Sequence, residues 1–190
     1  MVPATKLTYA DYAAIDDGRR YELIDGELIL YPARTPGHQS IVGNILFAFD
    51  RHLRGDCGGV LMAPLDVVVS DHTVLQPDVI VIKEERAAIV GPANLAGPPN
   101  LIVEIVSDDT RDRDEIIKPP IYAHFGVDEY WIADPENELV RAYRRSTGGY
   151  VPAFGINTET GGTITTPLLP KFALDIADVF RVWTAGPPRE

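Results

Sequence analysis

Leu101-Ile102-Val103-Glu104-Ile105-Val106 decides the fold: an unbroken apolar run, mostly β-branched, with one carboxylate in its middle. Bounded by Pro98-Pro99-Asn100 before it and Ser107-Asp108-Asp109 after it, the run is too short for a buried helix and reads as a central strand covered on both faces. Asp78-Val79-Ile80-Val81-Ile82 and Leu65-Asp66-Val67-Val68-Val69, upstream, have the same character and are expected to be covered in the same way. Downstream, Glu129-Tyr130-Trp131-Ile132-Ala133 and Leu139-Val140-Arg141-Ala142-Tyr143 form two further strands joined by Asp134-Pro135-Glu136-Asn137. Shorter strands are expected through Thr166, and a helical turn from Ile176 to Trp183.

Around this centre the pattern changes period. Tyr21–Ile24 and Glu27–Tyr31 flank Asp25-Gly26, a dipeptide suited to the two-residue hairpin turn in which both central residues take positive φ. Thr8 followed by Asp11 marks a capping box opening a short helix through Ile15. Ile41, Ile45, Leu46, Ala48, Phe49 and Leu53 recur at helical spacing, predicting a helix from His38 to Leu53 with Gly55 as its left-handed cap. Ser107 to Phe125 reads as a polar turn followed by a helix. Helices and strands in this order predict an α/β fold with a mixed central sheet.

The chain has 190 residues, 45% hydrophobic and 24% charged, which excludes disordered, collagen-like and coiled-coil classes. No repeat or low-complexity linker divides it, so one domain over 1–190 is expected, with a loose tail from about 185. Its single cysteine, Cys57, rules out an internal disulfide and suits a reducing compartment, and with no leader or membrane span in sight a cytoplasmic location is expected. Seventeen Lys and Arg against 28 Asp and Glu give a net charge of −11, the opposite of a nucleic-acid-binding footprint. A phosphate-rich partner must therefore be met locally, by Arg19-Arg20, Arg51 with Arg54, or Arg141 with Arg144-Arg145. His52, His72 and His124 lack the spacing of a zinc site.

Asp78 and Glu104 are the residues that need an explanation, because a carboxylate inside an apolar strand costs several kcal/mol unless a cation compensates it. The bland alternatives are a strand-end cap for Asp78 and an arginine partner, Arg111 or Arg113, for Glu104. Asp114, Lys118 and Tyr122 are spaced to share one helical face, although Pro119-Pro120 threatens to push Lys118 out of the helix.

Together these residues resemble the PD-(D/E)XK nuclease superfamily: Pro77-Asp78, then Glu104-Ile105-Val106, then Lys118. The surrounding text is similar to the bacterial branch described as restriction endonucleases. It includes Tyr21-Glu22-Leu23-Ile24-Asp25-Gly26-Glu27-Leu28, Gly37-His38-Gln39, Val103-Glu104-Ile105-Val106-Ser107, and Gly126-Val127-Asp128-Glu129-Tyr130-Trp131-Ile132-Ala133-Asp134. The resemblance implies a restriction-endonuclease-like mixed sheet flanked by helices, with an N-terminal β-hairpin, and a Mg²⁺-dependent endonuclease acting on DNA, Mn²⁺ being able to substitute. Asp78, Glu104 and the backbone carbonyl of Ile105 would hold the metal, with Glu22 as a further candidate ligand. Lys118 would take over the lysine role, since Val106 stands where the strand lysine would be. His38 would contact substrate phosphate, although a helix cap is its simpler reading, as an exposed charge pair is for Glu22. A homodimer is expected, as a common way to address two strands. The alternative is a catalytically lapsed relative that binds DNA or assembles without cutting.

Overall fold

A computed structural model describes residues 5–31, 33–54 and 58–182. In chain order it contains α1 (Tyr9–Ala13), β1 (Tyr21–Ile24), β2 (Glu27–Leu30), α2 (Pro36–Leu53), β3 (Gly59–Met62), β4 (Asp66–Ser70), β5 (Thr73–Leu75), β6 (Val79–Ile82), β7 (Asn94–Leu95) and β8 (Leu101–Ile105). The chain continues through α3 (Lys118–Phe125), β9 (Glu129–Asp134), β10 (Leu139–Ser146), β11 (Gly149–Asn157), β12 (Thr163–Thr166), β13 (Leu169–Asp175) and α4 (Ile176–Val179). The Gly55 cap, Cys57 and the tail fall outside the described residues.

The central sheet has six strands in the order β11-β10-β9-β8-β6-β3. It is mixed, because β8 runs parallel to β9 and antiparallel to β6. All residues of β6, β8 and β9 are buried, as continuous apolar runs require. Alternation along β8 divides the core. Leu101, Val103 and Ile105 pack with Ile41, Ile45 and Phe49 of α2, whereas Ile102 and Val106 pack on the opposite side with Tyr122 of α3 and Tyr130. Glu104 shares the α3 side by the same alternation.

A second, five-stranded sheet has the order β2-β1-β5-β4-β7. Its β1–β2 hairpin turns at Asp25 and Gly26 with φ of 51° and 79°, the geometry expected of that dipeptide. The expectation for Leu65–Val69 needs correction: β4 lies in this outer sheet and is only half-buried. Its β-branched run signals a strand without saying which sheet receives it. β11 is also longer than the short strands expected there, because eight of its nine residues pair along β10, with only Ala153 bulged out of the ladder. The short helix ends at Val179 rather than Trp183. α1 has its capping box from Thr8 and Asp11, and α2 begins at Pro36, two residues before His38, capped by the Thr35 hydroxyl.

Candidate active site

Val79 pairs with Val103 across β6 and β8, and continuing that register by one residue sets Asp78 opposite Glu104. Directly opposed residues of an antiparallel pair point to the same face, so the two carboxylates share a rung of the ladder. Both are buried, at 2% and 0% exposure. Asp78 stands at the entry to β6, where its side chain collects donors from three segments. Tyr31 Oη donates to Oδ1 at 2.9 Å, and Arg34 Nη2 lies 3.5 Å from the same atom. The Ile105 N–H donates to Oδ2 at 2.9 Å, and His38 Nε2 lies 3.2 Å from it. His38 therefore does not cap α2, a task done by Thr35, but turns its ring onto Asp78.

Glu104 meets α3. Lys118 Nζ donates to Glu104 Oε1 at 2.9 Å and Tyr122 Oη donates to the same oxygen at 3.0 Å. The partner of Glu104 is thus Lys118 rather than Arg111 or Arg113. The ammonium also lies 3.0 Å from Glu22 Oε1 and 3.0 Å from Asp114 Oδ1. Lys118, at 1% exposure, is no surface amine. Nor is Glu22 an exposed hairpin residue: it is buried on β1 and accepts the Gln76 N–H at 2.9 Å.

Pro119-Pro120 does not expel Lys118 from the helix. A π-helical turn over Arg113–Ile117 leads directly into α3, and the Lys118 N–H reaches back five residues to the Arg113 carbonyl. In that register the next donor due is residue 119, a proline with no N–H, which leaves the Asp114 carbonyl unmatched. Tyr130 Oη donates to that carbonyl at 2.7 Å from β9. The prolines then occupy the first turn of α3, where a missing N–H costs little. Tyr130→Phe should accordingly cost about 1–3 kcal/mol, since it buries a carbonyl without a donor. Denaturant unfolding measures this, and an unchanged midpoint would show the carbonyl satisfied some other way.

Electrostatics separates the two carboxylates. Burial raises the Asp78 carboxyl, but His38, Arg34 and the Ile105 N–H outweigh it and hold the group below the usual range. Burial lifts Glu104 well above that range, only partly offset by Lys118, with Asp114, Asp78 and Glu22 adding repulsion. Burial also opposes charge on Lys118, yet Glu104, Glu22 and Asp114 overcome it and keep the amine protonated. Glu104 Oε2 and Asp114 Oδ2 are buried without a hydrogen-bond donor among the described residues. Among the described residues no three His, Cys, Asp or Glu side chains form a ready-made metal cluster. A crowded, oxygen-only set with a spare carboxylate oxygen nevertheless fits a hard divalent cation, which takes one or two carboxylates and fills its shell with water and phosphate.

Tyr31 and Arg34 escape sequence reasoning, because the loop joining the hairpin to α2 has no periodicity that would say which side chains turn inward. The basic groups singled out for DNA are largely engaged: Arg141 with Glu115, Arg144 with Glu129, Arg145 with Asp128, Arg54 with Asp50, and Arg20 with Gln76. Tyr130 and Trp131 are buried in the core, as their apolar strand requires.

Arg111 anchors the polar turn beside the site by donating to both oxygens of Asp134, at 2.8 and 3.3 Å. Burial raises the Asp134 carboxyl, but Arg111 and Asn137 outweigh it and hold it down to about 2, from an ordinary 3.8. The ionised carboxylate thus stabilises the fold fully above the ordinary value, and that contribution is lost as pH falls toward 2. Asp134→Asn should cost about 2 kcal/mol at pH 7 and progressively less below pH 4, as measured by denaturant unfolding across pH. A pH-independent difference would reject the ion pair as its cause.

The family described as "Uma2: Putative restriction endonuclease" matches residues 8–177. No curated protein matches the chain. Among solved structures it resembles a crystal structure described as a putative nuclease belonging to DUF820 from Anabaena variabilis ATCC 29413. The likeness has a TM-score of 0.75 at 18% identity and covers 92% of this chain and 97% of the other, which establishes a shared fold. With the family match spanning nearly the whole chain, and Asp78, Glu104 and Lys118 gathered at the heart of that fold, the protein belongs to the Uma2 family of restriction-endonuclease-like proteins.

Proposed function

We propose that the protein is a Mg²⁺-dependent endonuclease that hydrolyses phosphodiester bonds of DNA, with Mn²⁺ able to replace Mg²⁺. One observation carries the reading: two buried carboxylates, Asp78 and Glu104, on one rung of the sheet, with the Lys118 ammonium 2.9 Å from the second. Asp78 and Glu104 are the residues to hold the cation, and the Ile105 carbonyl is a further oxygen at the same strand end. Glu22, which shares the Lys118 ammonium with Glu104, is a further candidate ligand. When bound, the cation polarises the scissile phosphoryl group and makes its water a nucleophile at neutral pH.

The chain's own residues do the rest. Lys118, kept charged by three carboxylates that face its three N–H groups, serves through its charge, which stabilises the charge developing on phosphate. Glu22, Glu104 and Asp114 fix the ammonium in place, and Tyr122 in turn holds Glu104, so little reorganisation is needed as the reaction proceeds. His38, at the first turn of α2 and beside Asp78, is the further residue to contact substrate phosphate. The same reading takes residues 1–190 as one nuclease-like domain acting in the cytoplasm as a homodimer. Among the described residues no helix is long and apolar enough to cross a membrane.

The lapsed-nuclease reading gains support from Arg34, whose guanidinium sits beside Asp78. Supercoiled plasmid incubated with Mg²⁺ or Mn²⁺ decides between them, because one cut anywhere converts it to an open circle. Nicking by the parent that disappears in Asp78→Asn supports the endonuclease. DNA binding without nicking, together with no calorimetric uptake of Mn²⁺, leaves the lapsed relative.

A further inference from the structure

The Arg34 side chain is only 5% exposed, yet most of its hydrogen-bonding capacity is unused. Its guanidinium lies 4.3 Å from the centre of the Tyr31 ring, and Nη2 donates to Tyr31 Oη. The same nitrogen approaches Asp78 Oδ1 at 3.5 Å, the longest of that carboxylate's polar contacts. Nε and Nη1 are buried and have no acceptor among the described residues. Those two nitrogens carry three of the five N–H donors of a guanidinium.

An arginine retained only to neutralise Asp78 would turn its fork onto the carboxylate, where two parallel hydrogen bonds are available. Here the fork is held away by the Tyr31 ring and by a single nitrogen shared between Tyr31 and Asp78. Buried donors without acceptors are costly, more so when charged, and a ligand that supplies the acceptors removes that cost. The matching ligand for unpaired, positively charged donors is an oxyanion, and once Nη2 leaves Asp78 it completes with Nε or Nη1 the two-pronged edge that a phosphate accepts. Arg20 cannot serve instead, because its guanidinium, 4.5 Å from the same ring, is committed to Gln76 Oε1 through Nε and Nη2.

We propose that Arg34 is a phosphate clamp: its guanidinium binds a non-bridging oxygen of the nucleic-acid backbone directly beside the Asp78–Glu104 pair. This inference rests on the endonuclease reading and adds a residue to it. Asp78 gives up its longest contact to a cation, and the freed guanidinium keeps a charged partner in the phosphate. The local positive charge that the acidic composition denies to the surface is thus supplied from inside, by Arg34 with Lys118.

The test separates metal from phosphate. Mn²⁺ affinity is measured by calorimetry, and inorganic phosphate affinity in saturating Mg²⁺ is followed by the backbone ¹⁵N–¹H signals of His38 and Ile105, which every variant retains, in the parent, Arg34→Gln and Arg34→Lys. Arg34→Gln is expected to bind Mn²⁺ at least as tightly as the parent, because a competing cation has gone, and to bind phosphate at least tenfold more weakly. Arg34→Lys keeps the charge without the fork and should recover part of the phosphate affinity; near-native circular dichroism of either variant shows that folding is not the cause. Equal phosphate affinity with and without Arg34, while Mn²⁺ still binds, overturns the clamp alone. Loss of Mn²⁺ and phosphate together in Arg34→Gln also overturns it and makes Arg34 a counter-ion that merely holds Asp78. A parent that takes up no Mn²⁺ overturns the endonuclease reading and the clamp with it.

Discussion

Lys118→Met is expected to destabilise the fold by about 3–5 kcal/mol and to slow cleavage a hundredfold or more, two effects with one electrostatic origin. The stability loss follows from what the ammonium leaves behind. Glu22, Glu104 and Asp114 would face one another across a buried space with no cation among them. Breaking a buried pair by deleting one partner is far costlier than deleting both, so adding Glu22→Gln to Lys118→Met should recover part of the loss, and a double-mutant cycle by urea unfolding measures how much. The kinetic loss follows from removing one preorganised charge, and a hundredfold corresponds to about 3 kcal/mol. Single-turnover cleavage with saturating Mn²⁺ reads it, and calorimetry should show Mn²⁺ still bound. Lys118→Arg should restore charge but not geometry, giving partial rescue. A Lys118→Met protein that cuts as fast as the parent would return the lysine to a purely structural role.

Glu104→Gln should produce the opposite division: metal uptake and cleavage abolished together, the fold largely spared. The amide keeps the size and shape of the carboxyl, and the ammonium retains Glu22 and Asp114. Burial already lifts the Glu104 carboxyl well above its ordinary range. A carboxyl raised in the folded state binds protons that the unfolded chain has released, so its effect on stability becomes less favourable as pH rises toward its folded value. Glu104→Gln removes that slope. Unfolding curves measured without metal between pH 5 and 8 should therefore be flatter for the variant than for the parent. Mn²⁺ calorimetry should show at least a hundredfold weaker binding, about 3 kcal/mol, for Glu104→Gln and Asp78→Asn alike. Retained Mn²⁺ affinity in either variant would remove that residue from the proposed ligand set.

The legible parts of the molecule were those where local chemistry and fold agree. Asp25-Gly26 allows the positive φ values of its turn, the α2 stripe leaves one face to bury, and the runs at β6, β8 and β9 tolerate no solvent. Asp78 and Glu104 stood out because each breaks an apolar run, a conflict visible without coordinates. What periodicity could not reveal was how α3 and the wide turn before it accommodate two prolines, since the solution comes from Tyr130, on β9. Arg34 was invisible for the same reason, its role depending on the Tyr31 ring that holds it. The membership of β4 in the outer sheet depends on pairing with β5 and β7, which no property of Leu65–Val69 encodes.

The parallel pairing of β8 with β9 makes both strands leave the sheet at the same edge, the edge where Asp78 enters it. The segments that follow them, Val106–Asp108 with Arg111 and Pro135-Glu136, line a cleft of about 290 Å³ together with Thr35, Gly37 and His38. Backbone pairing holds the carboxylates, whereas these connecting segments carry no rung of that ladder. Insertions or substitutions there can change which substrates are admitted while the chemistry beneath stays intact.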